Sequence, residues 1–244
     1  TLLAEITRIH SHLYGLGIHG IMLGSSTVFM WGFGDREIWM ELGQELTGAR
    51  LTYSYIIPGG VRRNLPQGFK EKVLKAIAYL EARLKDYQKI FVDNPVVTAR
   101  LVDVGVLKTE DATRFGIVGP NLRASGIAFD VRRVEPYCAY PELDFDVVVR
   151  TEGDCYARVL VRIEEIRQSM RIIKQILGKI PEGPILEERY LRLIPPDLRD
   201  TMKDTGVTKF PAVFTNLRPP KGEAVSRVEA GRGELTHYIV SDGS

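Results

Sequence analysis

Cysteine is scarce in this sequence: two thiols, Cys138 and Cys155, among 244 residues. Two are too few for a disulfide framework, and they cannot form a tetrathiolate metal site. An excess of one charge is also missing. Lys plus Arg number 33 against 31 Asp plus Glu, a formal net charge of +2. Nothing therefore drives general binding to a phosphate backbone, and nucleic acid is not an expected partner. Side-chain amides are few, five Gln and four Asn, beside plentiful Lys, Arg and Glu, a bias reported for proteins from hot habitats. No repeat or low-complexity tract is present. Apolar residues at 44% and charged residues at 26% exclude disordered and fibrous classes and allow a sizeable core, in one large domain or two small ones. An initiating methionine is absent too. The chain begins at Thr1 inside a helical pattern, TLLAEITRIHSHLYGLG, and stops at VSDGS after a strand-like run. It reads as an internal piece of a longer protein, and no targeting segment can be judged from it.

Formal charge is missing over the 21 residues from Leu13 to Phe33, long enough to cross a bilayer. The stretch holds Gly15, Gly17, Gly20 and Gly24, with Gly20 and Gly24 in a small-xxx-small spacing. His19 would sit mid-membrane, and nothing else in the chain is apolar enough to accompany it, so the expectation is a fully buried helix in a bundle. Asp35 to Leu46 reads as a short amphipathic helix ended by Thr47-Gly48, and Leu51 to Ile57 as a strand or extended segment broken by Pro58-Gly59-Gly60. The clearest surface helix is Gln67 to Phe91, with Val73, Ile77, Leu80, Leu84, Tyr87 and Phe91 on one face. A second, Cys155 to Lys179, follows Gly153-Asp154, with a stripe of Leu160, Ile163, Ile166, Met170, Ile173 and Leu177. Asn94-Pro95 opens a new segment, and Thr109-Glu110-Asp111 marks a helix start with acids in its first turn. Gly116 to Gly126 reads as loop, Glu135 to Phe145 as ordered loop, and the proline-rich Pro181 to Pro220 as an extended excursion. Ala224 to Val240 reads as a β-hairpin turning through Gly231-Arg232-Gly233. The expected domains are a helical core 1–180, an extended segment 181–220 and a hairpin 223–241, all in one domain.

Chemistry-bearing patterns are sparse. His10 and His12, two apart on a helix, face different ways and cannot share a metal. His19 lies alone on an apolar helix, where a satisfied core histidine is the ordinary case. Cys138 and Cys155 lack neighbouring ligands and read as packed thiols. No dinucleotide or Walker-type phosphate loop is present. The carboxylates Glu164-Glu165 and Asp144, Asp146 read as solvated charge. Arg62-Arg63, after Gly59-Gly60-Val61, can be read as surface ion pairs or as a grip on an anion or a partner's carboxylates.

Several segments together resemble one family. These are EITRIHSHLYGLGIHGIMLGSSTVFMWGFGDRE, ELTGARLTYSYIIPGGVRRNLPQGF, FVDNPVVTARLVDVGVL, GIVGPNLRASG, DVRRVEPYCAYPELDFDVVVRTEGDCYARVLVRIEEIRQSMRII and VEAGRGELTHYIVSDGS. They are similar to the D subunit of proton-pumping NADH:quinone oxidoreductase, respiratory complex I, itself related to the large subunit of [NiFe] hydrogenases. The resemblance is weakest from Pro184 to Pro220.

It implies a mainly α (α+β) fold: a multihelical, [NiFe]-hydrogenase large-subunit-like bundle with small β elements. The implied place is the peripheral arm on the cytoplasmic side of the cell membrane. The implied partners are a small iron–sulfur subunit, other subunits of a complex I-like assembly and a membrane arm. The implied cofactors lie outside the piece: an iron–sulfur cluster in the partner, and a quinone or Ni–Fe centre in the complete assembly, with no metal or catalytic residue in this stretch. The family's quinone-contacting His and Tyr, and the cysteine pairs that hold nickel in hydrogenases, precede or follow it. Cavity-lining candidates are His19, Met22 and Thr52; candidates for contact with a partner or anion are Arg50, Arg62 and Arg63. Two departures stand out. The family's HALDIGA reads His19-Gly20-Ile21-Met22-Leu23-Gly24-Ser25 here, with Met22 for the Asp, expected at mid-helix. GARMH reads Gly48-Ala49-Arg50-Leu51-Thr52, with Thr52 for the His. Neither replacement titrates near pH 7. The expected role is a subunit of an NADH dehydrogenase or quinone oxidoreductase-type complex. The alternatives are the large subunit of an energy-converting hydrogenase, a sulfur-reducing relative, or a scaffold and coupling subunit.

Overall fold

The computed structural model describes residues 1–191 and 219–243. Its centre is a pair of long antiparallel helices, α1 (Leu2–Met22) and α2 (Ser26–Thr47). The uncharged run that reads as one buried helix is broken between them. Gly24 takes φ +84°, the Ser25 N–H bonds back to the Gly20 carbonyl at 2.8 Å, and the Ser25 hydroxyl accepts from the Val28 N–H. A left-handed glycine followed by a serine N-cap is a stop and a start in adjacent residues. Among the described residues no helix is long and apolar enough to cross a membrane.

The two helices meet through small residues. A Cβ placed on Gly32 would come within 2.8 Å of the Gly17 Cα, and one on Gly20 within 2.9 Å of Val28. Glycine at these points lets the backbones touch. The contact therefore involves Gly17, Gly20 and Gly32 rather than Gly20 with Gly24.

Around this hairpin pack α3 (Phe69–Tyr87), continued by a wider turn Gln88–Val92, and α8 (Cys155–Lys179). Both follow the sequence reading closely, and the stripe residues of α3 are all buried. Asp35 ties α2 to α3: its carboxylate accepts from the Tyr79 and Tyr87 hydroxyls, each at 2.8 Å, and from Arg83 Nε at 3.2 Å. Short helices fill the connection: α4 (Pro95–Leu101), α5 (Thr109–Arg114), α6 (Gly119–Ala124) and α7 (Val131–Val134). The segment 116–126, expected as loop, contains α6 because Pro120 stands at its first turn, where a missing N–H costs nothing. The ordered loop 135–145 includes one 3₁₀ turn, Tyr140–Glu142.

The β content is small. Of the strand expected over 51–57, only β1 (Ile56–Ile57) pairs, with β2 (Gly60–Val61), across Pro58-Gly59. Beyond α8 come a single bridge from Leu186 to Gly60 and a short helix α9 (Glu188–Leu191); the remainder of the expected excursion, 192–218, lies outside the described residues. The last element is the expected hairpin, β3 (Gly222–Ala230) and β4 (Gly233–Ser241), with Ala230 opposite Gly233. The fold is mixed α+β and dominated by helix.

Candidate functional site

The candidate residues lie along the α1–α2 hairpin. His19 is half-buried one turn before the hairpin tip, and its Nδ1–H donates to the Gly15 carbonyl at 2.6 Å. Burial holds its pKa below the usual histidine range, with the cations Arg162 and Arg158 adding to the effect. Met22 stands at the last residue of α1, not at mid-helix, and is 78% exposed; Ile21 and Met30 beside the tip are exposed as well. The expectation of a fully buried helix fails here, because the turn at Gly24 ends burial at Gly20. An anionic side chain at position 22 would sit at the negative end of the α1 dipole.

Thr52 is distant from Met22. Helix α2 spans about 33 Å, and the five residues beyond Thr47 reach back at most about 17 Å. The loop does fold back: Arg50 forms an ion pair with Glu37, and the Tyr53 hydroxyl donates to the Arg50 carbonyl at 3.1 Å. Thr52 is exposed on this returning loop. Arg62 donates to the Ser54 carbonyl at 3.1 Å. Arg63 packs against Gly48 and lines a cavity of about 540 Å³ with Leu2, Leu46, Tyr55 and Ile185. The structure thus gathers Arg50 and Thr52 on one flank, Arg63 at the base of the hairpin and His19 with Met22 at its tip.

A buried ionic layer joins the base of this hairpin to the rest of the molecule, and the sequence reading does not find it. Glu5, Arg8, His12, Arg123, Asp130, Arg132, Glu165 and Glu229 are all buried. Glu165 receives Arg123 Nε at 2.8 Å on one oxygen and His12 Nε2 at 2.8 Å on the other. Arg132 is held by Asp130 at 2.6 Å and by Glu5 at 3.2 Å. Glu5 also accepts from Ser169 at 2.6 Å and from the Tyr140 hydroxyl. Burial opposes ionisation of Glu5, but the Arg8 and Arg132 charges and these hydrogen bonds win, and its pKa falls to about 2. For Glu165 the same contest, decided by Arg123 and His12, leaves its carboxyl well below the usual range. His12 is lowered by its burial and donates as neutral imidazole. The expectation that Glu165 is solvated is thus corrected; Glu164, Asp144 and Asp146 are exposed or half-exposed and pair with arginines. The layer's members come from α1, α6, α7, α8 and β3, and i,i+4 spacing of Ala157, Val161, Glu165 and Ser169 on α8 is the one local signal that could have revealed it.

The donor set for a thiolate-held metal is not met. Cys138 is exposed, at φ +49°, and Cys155 is half-buried beside Arg158 Nη2 at 3.2 Å; the reading of Cys138 as a packed thiol is corrected. Among the described residues no three His, Cys, Asp or Glu side chains form a metal-binding group. A Ni–Fe centre does not fit these side chains. What they can do is position a hairpin and present its tip and flank to other molecules.

Comparisons with known proteins bear on what those are. The chain is 42% identical over 243 residues to the D subunit of the F420H2 dehydrogenase of Methanosarcina mazei, covering 100% of this chain and 60% of that protein. It is 40% identical over 246 residues to the NADH-ubiquinone oxidoreductase 49 kDa subunit of Reclinomonas americana, covering 62% of it. A chain in the solved structure of a membrane-bound sulfane sulfur reductase, an archaeal respiratory membrane complex, matches with TM-score 0.84 and 38% identity over 100% of this chain and 61% of that one. The sequence therefore spans about three-fifths of the length of the relatives it matches. A model of the respiratory-chain NADH dehydrogenase 49 kDa subunit matches residues 22–244. The chain belongs to the respiratory-chain NADH dehydrogenase 49 kDa subunit family.

Proposed function

We propose that this chain is the core of the large subunit of a complex I-like, membrane-attached oxidoreductase. In this reading it shares with an iron–sulfur partner subunit the cavity where electrons leave the last cluster for an acceptor. The observation that carries it is the hairpin tip: Met22, Ile21 and Met30 form exposed apolar surface on an element locked at its base by buried ion pairs. Rigidly held apolar surface of this kind marks a protein–protein or ligand contact. In keeping with membership of that family, this reading assigns the contact to the partner subunit and the acceptor cavity. The same reading takes in the likeness to [NiFe] hydrogenase large subunits, a single domain with its three segments, and a place on the cytoplasmic side of the membrane. His19, Met22 and Thr52 then line the cavity, while Arg50, Arg62 and Arg63 meet a partner or an anion. Of an acceptor such as a quinone, this chain's own part is to shape the wall and keep water from it.

A second reading is favoured by Met22 and Thr52. An Asp at the tip and a His in the loop would couple electron arrival to protons; a thioether and a hydroxyl cannot. An acceptor other than quinone, such as sulfane sulfur, suits a wall with no titrating group at positions 22 and 52, and the solved relative above is a sulfane sulfur reductase. The test is turnover of the intact complex with quinone and with polysulfide, in wild type and Met22→Asp. The quinone reading expects enzyme-like quinone turnover, around 1–10³ per second. The second expects polysulfide to be preferred, with no gain in quinone turnover from Met22→Asp. Turnover with neither acceptor in an assembled complex contradicts both.

A further inference from the structure

The flank of α1 carries a polar pocket that this function does not use. Its volume is about 210 Å³, and it is lined by His10, Ser11 and Tyr14 of α1, Arg36 of α2 and Arg232 in the turn between β3 and β4. The charge of the lining is of one sign. The guanidinium carbons of Arg36 and Arg232 lie 5.5 and 5.7 Å from the centroid of the same ring, Tyr14. Neither arginine has a carboxylate partner among the described residues, and the Nε of Arg36 is buried without any hydrogen-bond acceptor. His10 is only 7% exposed, yet both its ring nitrogens lack a partner among the described residues. Buried donors without acceptors are uncommon. Two cations crowding one ring are held there at a cost unless an anion lies between them, although the ring face offsets part of it.

The pocket is also firmly constructed. Arg8 Nη1 donates to the Ala230 carbonyl at 2.9 Å and so pins β3 to α1. A Cβ on Gly231 would come within 2.9 Å of Ser11; the glycine lets the turn press against α1 and sets Arg232 at the pocket mouth. The Gly231-Arg232-Gly233 turn therefore does more than join two strands.

We propose that this pocket binds one compact oxyanion, a carboxylate or a tetrahedral sulfate or phosphate, gripped by Arg36 and Arg232 and hydrogen-bonded by His10. Paired guanidinium forks match the geometry of such oxygens. Neutral His10 supplies one N–H, and the Ser11 and Tyr14 hydroxyls stand in the same lining. The anion is either free in solution or the side-chain carboxylate of another polypeptide segment in the complete assembly.

The test uses the full-length subunit in its intact complex. Sodium sulfate is titrated calorimetrically at constant ionic strength, and the pocket is inspected in a cryo-electron microscopy map of the same sample. Arg232→Gln alters an exposed turn residue and is not expected to disturb folding; Arg36→Gln is the second variant, and Arg232→Lys the conservative one. For a free anion, sulfate binds saturably, each Gln variant weakens it at least tenfold, Arg232→Lys retains part of the affinity, and the map shows isolated density between the two arginines. For a polypeptide carboxylate, wild type takes up no sulfate, the map shows an Asp or Glu side chain between the arginines, and replacing that residue by its amide opens the pocket to sulfate. Sulfate binding indifferent to both Gln variants overturns the proposal. So does the absence of sulfate binding together with a map showing no carboxylate in the pocket.

Discussion

Glu165 carries more of the architecture than its place in a charged run suggests. Each of its oxygens has one buried cationic or imidazole donor, Arg123 and His12. Removing one partner of a buried pair leaves the other charge uncompensated, at about 3–5 kcal/mol. Glu165→Gln is therefore expected to lower unfolding free energy by about 3 kcal/mol in urea titration, with Arg123 still held by Glu229 at 2.9 Å. A change under about 1 kcal/mol would mean the layer contributes little. The titrating groups also give stability a definite pH dependence. Burial depresses His10 to about 4 and lowers His12, so the folded state binds fewer protons than the unfolded state below pH 6.5. Stability is fully present above that value and falls as pH drops toward 4, by roughly 3 kcal/mol for His10 alone at 1.36 kcal/mol per unit. Glu5, depressed to about 2, has the same sign. Its contribution is present above pH 4.5 and lost progressively below it. Urea midpoints measured from pH 8 to 4 without added sulfate or phosphate should stay level to about 6.5 and then decline. A midpoint that rises from pH 7 to 5 contradicts these assignments.

Among the helices, the contact between α1 and α2 rests on glycine. A methyl at Gly32 meets the backbone of Gly17 and the Leu13 carbonyl, at 2.8 to 2.9 Å, and backbone cannot move aside as a side chain can. Gly32→Ala is expected to destabilise by about 1–3 kcal/mol, read as a lowered urea midpoint with an unchanged slope. A neutral or stabilising alanine would show that the helices have room to part. The same hairpin shows why legibility was uneven. Helices α3 and α8 were readable from Val73 to Phe91 and from Leu160 to Leu177 because each has one wet and one dry face, a periodic signal. The run Leu13–Phe33 has no wet face to set a phase, so its break was invisible to periodicity and was carried by Gly24-Ser25 alone. The ionic layer was hidden for another reason. Glu5 and Arg132 are 127 residues apart, and no local pattern marks a charge whose partner arrives from so far along the chain. Family resemblance located His19, Met22 and Thr52, but only the three-dimensional course of α2 separates Met22 from Thr52.

The molecule taken together presents a rigid hairpin whose base is ionic and whose tip is apolar. In the intact complex Met22→Asp would place a carboxylate at the negative end of α1, beside a histidine that burial keeps neutral. Without a cation from the partner that carboxyl would stay protonated or disturb the contact. The expected outcome is weakened assembly or turnover with no improvement in quinone reduction. Loss of stability alone, with acceptor preference unchanged, would reduce Met22 to packing. The most direct measurement of the central claim is photo-crosslinking from position 22 in the full-length subunit within its complex. If the tip lines the acceptor cavity, a photoreactive amino acid at position 22 joins covalently to the iron–sulfur partner subunit, and acceptor present in excess reduces the yield. If position 22 crosslinks to no other subunit, or its yield is indifferent to every acceptor, the tip does not face that cavity.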